Sequence, residues 1–172
     1  MVDEVQDYYF GFNWDSVYTA MKTLADTIQD PGATEEDTPE PVFGNIEAGK
    51  PNNLSLWSGD AVLIALGKID NITKAMGGRG TVAHVKGYFL VYTEGQDETS
   101  QRRAAYLWDR LYAAITKNKQ LLPNCTMKIV KDSPGGFREN DKNMGATNTP
   151  NYCAGAVLVV NITKAMEKIT IS

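Results

Sequence analysis

The residues able to do chemistry in this sequence are few: one histidine, two cysteines and an uneven supply of charge. His84 lies in the middle of an alternating stretch with no cysteine or acid at ligand spacing, which reads as a strand histidine facing solvent or an interface. Cys125 and Cys153 sit in no recognisable nucleophile motif, and no Gly-x-Ser-x-Gly elbow is present. Gly77-Gly78-Arg79-Gly80 and Ser133-Pro134-Gly135-Gly136 have the glycine content of phosphate-cradling loops but lack the following Lys-Ser/Thr and helix start. Turn chemistry explains both, with loop tips that reach a neighbouring subunit as the functional alternative. The acid pairs Glu35-Glu36 and Asp97-Glu98 read as a solvated stretch and a helix start. The expectation is therefore no catalytic residue, no metal ligand and no cofactor. A rival reading, a small cytosolic enzyme or ligand-binding domain, would need Trp57, His84, Tyr88 and Tyr92 to line one concave pocket.

Charge is the stronger signal. Residues 1–60 hold twelve acids against Lys22 and Lys50, a balance of -10, whereas residues 61–172 carry +6. The net charge of -4 conceals this separation, which bears on association rather than on fold. Five acids and three prolines, with no base, fall between Asp30 and Pro41. That stretch buries too little surface to offset its ordering entropy without a partner. The basic residues gather on one helix and the segment after it: Arg102, Arg103, Arg110, Lys117 and Lys119, then Lys128, Lys131, Arg138 and Lys142. They suit phosphates, a solvated face, or the acidic third of a neighbouring copy, and the last fits the whole chain best. Contact between unlike surfaces closes into a ring when the rotation permits. Glu35, Glu36, Asp37, Arg102, Arg103, Arg110, Phe137 and Arg138 are the residues this reading assigns to a subunit or partner interface.

The chain of 172 residues, 42% hydrophobic, suits a single domain with one core. No apolar run approaches the roughly 20 residues of a membrane helix. The acidic start Met1-Val2-Asp3-Glu4 is unlike a secretory signal, so reduced thiols are expected at Cys125 and Cys153. The pI near 5.0 argues against a general nucleic-acid binder.

These residues must be positioned by elements that the pattern also predicts. Val17, Met21, Leu24 and Ile28 give a helix over 14–29, with Asn13 as N-cap and Phe12 and Val17 as a hydrophobic staple. The central third reads as sheet: Leu54–Trp57 alternates, and Ala61–Leu66 is an apolar run ending at Gly67-Lys68-Ile69. Val82–Tyr92 is the clearest strand, with Ala83, Val85, Gly87, Phe89 and Val91 on one face. Ala104, Leu107, Trp108, Leu111, Tyr112 and Ile115 then mark a helix over 98–118, which leaves the three arginines on exposed faces. Strands follow at 125–131 and 152–162, and Lys168–Ser172 either extends the last or adds a short one. The hexapeptide Asn-Ile-Thr-Lys-Ala-Met occurs at Asn71–Met76 and again at Asn161–Met166, and reads as two similar strand exits, neighbours in the sheet. The expected fold is one α+β domain, a mainly antiparallel sheet covered by two amphipathic helices, with long polar loops at 30–53 and 132–151.

This layout resembles the tail terminator (tail completion) proteins of tailed bacteriophages. The segments that carry the resemblance are Trp14–Ile28, Val85–Tyr92 leading into Gln101–Ile115, and the returning strand Ala156–Ile162. The resemblance implies a homo-oligomeric, hexameric ring that caps the tail tube and joins it to neck or connector proteins. Its lumen would pass genome DNA without specific binding, and the protein would be assembled in the host cytoplasm into the virion, away from any membrane. A tail tube or head–tail connector subunit is the nearest alternative, although a tube subunit favours a β-sandwich with fewer helices.

Overall fold

The computed structural model describes residues 9–30, 40–48, 59–74, 80–94, 98–130 and 152–169. The first helix, α1 (Trp14–Asp26), starts where the sequence places it. Asn13 sits in the left-handed region at φ 56°, a conformation asparagine tolerates better than most residues, and its side-chain oxygen accepts from the Ser16 N–H. Phe12 and Val17, the staple pair, are both buried. The helix stops at Asp26 rather than reaching Gln29, because the Thr27 hydroxyl donates to the Leu24 carbonyl 2.7 Å away and closes the last turn.

Among the described residues ten strands accompany two helices. β1 (Tyr9–Gly11) and β10 (Glu167–Ile169) form an antiparallel pair, as do β2 (Gln29–Asp30) and β3 (Glu40–Pro41). The remaining six are β4 (Asn45–Ala48), β5 (Ala61–Lys74), β6 (Thr81–Glu94), β7 (Gln120–Leu122), β8 (Cys125–Ile129) and β9 (Tyr152–Ala165). They build one sheet in the order β4-β5-β6-β9-β8-β7, and every neighbouring pair is antiparallel except β4 with β5. The fold is α+β, as the pattern predicts. The second helix, α2 (Glu98–Lys117), packs on β6, β9 and β8, whereas α1 reaches β5 and both edge strands, β4 and β7. A helix that touches both edges of a sheet requires that sheet to curl around it.

Alternation explains the centre of the sheet. Ala83, Val85, Gly87, Phe89 and Val91 of β6 are all buried, facing Ile162, Val160 and Leu158 of β9 and the helices above. Each such large apolar side chain contributes about 1.5–3 kcal/mol of transfer free energy. Gly87 permits the closest approach: a Cβ there would stand 2.8 Å from Ile162 Cδ1 and 3.2 Å from Met21 Cε of α1. The Thr93 hydroxyl at the end of β6 donates to the Ser100 carbonyl, so the strand is tied to the first turn of α2.

Three expectations change. β5 does not end near Gly67 but runs on to Lys74, with two register shifts, between Leu66 and Ile69 and between Ile69 and Asn71. These bulges keep Leu66, Ile69 and Ile72 opposite Gly87, Val85 and Ala83, all on the helix side. The two hexapeptides are not neighbours, because β6 lies between them. Tyr112, on the predicted apolar stripe of α2, is 42% exposed at its rim, stacked on Trp108 at 5.2 Å. The alternation at 54–57, the Asp97 cap, most of the 30–53 segment and the 132–151 loop lie outside the described residues.

The hexapeptides supply a stability test. Ile162 is fully buried, whereas Ile72 at the same position in its copy is 52% exposed. In urea unfolding, Ile162→Ala should cost about 2–5 kcal/mol and Ile72→Ala less than about 1 kcal/mol in the monomer. Equal losses would show that Ile72 belongs to the core.

Candidate functional site

The basic face of α2 is the first place to look, because three of the expected interface residues are there. Arg102 is exposed and pairs with Glu98 one turn earlier at 2.6 Å, an ion pair between side chains 80% and 75% accessible. Pairs of that kind contribute little and are easily exchanged for an intermolecular partner. Arg103 and Arg110, however, are half-buried rather than exposed. The Arg103 Nε donates to Asp60 at 2.8 Å, and its guanidinium lies 5.2 Å from the Tyr106 ring centre. The Arg110 Nε donates to the Tyr106 hydroxyl at 3.0 Å while its guanidinium stacks 5.0 Å from the same ring. Tyr106 thus holds both arginines against the protein. Part of the acid–base complementarity read between copies is satisfied within one chain, between Asp60 and Arg103. Glu35, Glu36, Asp37, Phe137 and Arg138 lie outside the described residues.

His84 is fixed by neighbours that the spacing could not reveal. It faces Asn71 of β5 on one side and Thr163 of β9 on the other. The Thr73 hydroxyl lies 3.0 Å from Nε2 and the Thr163 hydroxyl 3.3 Å from Nδ1. Both threonines are the third residue of a hexapeptide copy. A hydroxyl donates or accepts as required, so either imidazole tautomer is satisfied. His84 and Tyr92 are eight residues apart on one extended strand, about 27 Å. They therefore cannot line one small pocket; Trp57 is outside the described residues. Tyr88 and Tyr92 instead join Ala61, Leu63 and Leu90 in an apolar cluster on the sheet face opposite the helices.

The most enclosed charge among the described residues is Lys164, 2% exposed and opposite Cys125 in β8. Its ammonium donates to Glu167 Oε1 at 2.8 Å and to the Ala165 carbonyl at 3.3 Å, and lies 5.7 Å from the Phe12 ring centre. Asn13, the cap of α1, donates to the other oxygen of Glu167 at 3.0 Å. The hydrogen bonds from Lys164 and then Asn13 hold the Glu167 carboxyl below the usual glutamate range. This group fastens β10 to the start of α1; the alternation of β9 puts Lys164 on the buried face of Ile162, although a lysine is a residue type rarely found there. Burial pushes the Cys125 thiol up to about 11, against the opposing field of Lys164, so it is protonated and unreactive.

Among the described residues no three His, Cys, Asp or Glu side chains converge. An open depression of about 340 Å³ between α2 and β8 is lined by Tyr112, Ile115, Thr116, Lys119, Met127 and Lys128, with no carboxylate among these residues. Among the described residues the exposed large apolar side chains are Ile72, Tyr112 and Trp14. No protein-family model matches the chain, and comparison with curated proteins gives no match.

Two measurements follow. Because the folded Glu167 has a lowered pKa, its contribution to stability is complete above the unfolded value near pH 4.3. It disappears as pH falls through the folded one. Thermal midpoints should therefore drop more steeply below about pH 4.3 in the native chain than in Glu167→Gln, and parallel curves would contradict the Lys164–Glu167 link. Cys125, located by peptide mapping, should resist a thiol reagent at pH 8 until the protein is unfolded; rapid native labelling would show that the thiol is accessible.

Proposed function

We propose that this chain is a non-enzymatic virion assembly protein, a phage tail terminator whose copies form a ring on the tail tube and join it to the neck. One observation supports the reading most: the segments that carry the resemblance fold into one connected unit. Trp14–Ile28 contains α1, Val85–Tyr92 lies within β6 and Gln101–Ile115 within α2, and Ala156–Ile162 belongs to β9. β9 pairs with β6 along its whole length, and α2 lies on both. Two helices on a single curled sheet fit this reading better than the β-sandwich of a tube subunit.

The ring is hexameric in this reading and conducts DNA without gripping it. In this reading the acids Glu35, Glu36 and Asp37 meet the basic face of the next copy. Arg102 is the arginine of α2 free to exchange partners, since Glu98 holds it only at the surface. Arg103 and Arg110 shape that face from within.

Native mass spectrometry in low salt gives the test. Arg102→Glu should weaken ring formation several-fold, with the loss greatest below about 50 mM salt, where screening is weakest. The melting temperature should change little, because the Glu98 pair it breaks is exposed. A chain monomeric with and without tail tubes would overturn the reading.

A further inference from the structure

The two hexapeptides place the same residues in different surroundings. In β9, Asn161–Ala165 has β6 on one side and β8 on the other, with Ile162 and Lys164 both buried. In β5, Asn71–Lys74 has β6 as its one strand neighbour among the described residues, and Ile72 and Lys74 are exposed. β4 pairs with Ala61–Ile64, and among the described residues no strand pairs with Ala65–Lys74 on that side. Among the described residues, these ten residues of strand have no backbone partner on that side, which makes them a template for another chain.

We propose that this edge receives β7 of a second copy, so that one sheet continues from subunit to subunit. The inference rests on the ring reading and names its contact. Beyond β4, the outer strands of the sheet are β5 and β7, edges of unlike sequence. Contact between unlike edges is head-to-tail, the type that closes into rings. Strand directions agree: four successive antiparallel steps make β7 run the same way as β5. The new pairing is then parallel, as β4 already is on the same edge, and β7 extends the line of β4. Side chains agree as well. Leu122 faces Cys125 and Ile72 faces Ala83, both on the helix side, so joining the edges brings two incompletely covered aliphatic side chains together. Lys68, Asp70, Lys74 and the two bulges oppose indiscriminate pairing of this edge with itself. A three-residue strand such as β7 needs only a short stretch of it.

The full chain is tested as assembled rings and as dilute monomer. Amides at 65–74 and 119–122 should exchange at least tenfold more slowly in rings than in monomer. Ile72→Glu should raise the concentration needed for assembly at least tenfold while leaving the monomer melting temperature within a few degrees. The double variant Ile72→Cys with Leu122→Cys, oxidised with a copper–phenanthroline catalyst and oxygen, should give a ladder of covalent multimers that neither single variant gives. Rings that form with unchanged exchange at both edges, tolerate Ile72→Glu and give no ladder would refute the edge contact and leave the ring reading standing. A chain that assembles under no condition would refute both.

Discussion

The pairing of β6 with β9 is the constraint on which the other elements depend. Thirteen residue pairs join the two strands, with one register shift between Val91 and Tyr92. Register in such a pair is fixed by which face is buried, since a one-residue slip turns every side chain to the opposite side. Here the helix-side face is apolar on both strands, Ala83 to Val91 against Leu158 to Ile162. α2 can settle on this platform because its own stripe, Ala104, Leu107, Leu111 and Ile115, is equally continuous. α1 then closes the curled sheet from β4 to β7.

That geometry has an electrostatic consequence at its far end. The alternation that buries Ile162 also buries Lys164, two residues on and on the same face. An isolated ammonium there would be costly, so a partner must be brought to it. Glu167 supplies the charge from β10, three residues further along, and Asn13 holds Glu167 from the cap of α1. One buried charge thereby couples the central sheet, the pairing of β1 with β10 and the first helix.

The charge separation along the sequence acquires a narrower meaning. Asp60, last of the twelve N-terminal acids, is spent inside the chain on Arg103, and Tyr106 secures both Arg103 and Arg110. In the proposed ring, intermolecular attraction is left to residues whose pairing is superficial, Arg102 first among them. Backbone groups at the edge of β5 offer a directional contact, whereas surface charge mainly speeds and orients an encounter. In the proposed ring the two serve different steps.

Local pattern was sufficient for α1, β6 and α2, because each buries a regular stripe. It was insufficient for β5, where two bulges keep the strand going through Gly67 and Asp70. It also missed the pairs that join distant residues, Arg103 with Asp60 and His84 with Thr73 and Thr163. No periodicity encodes a contact across 43 or 79 positions. The hexapeptide separates the two kinds of information. By itself, Asn-Ile-Thr-Lys specifies an alternating strand end, and it is a strand end in both places. Whether its isoleucine is 0% or 52% exposed was decided by the sheet, which sets one copy between two strands and leaves the other at an edge. Burial depends on what lies alongside and above a residue, and those neighbours come from elsewhere in the chain.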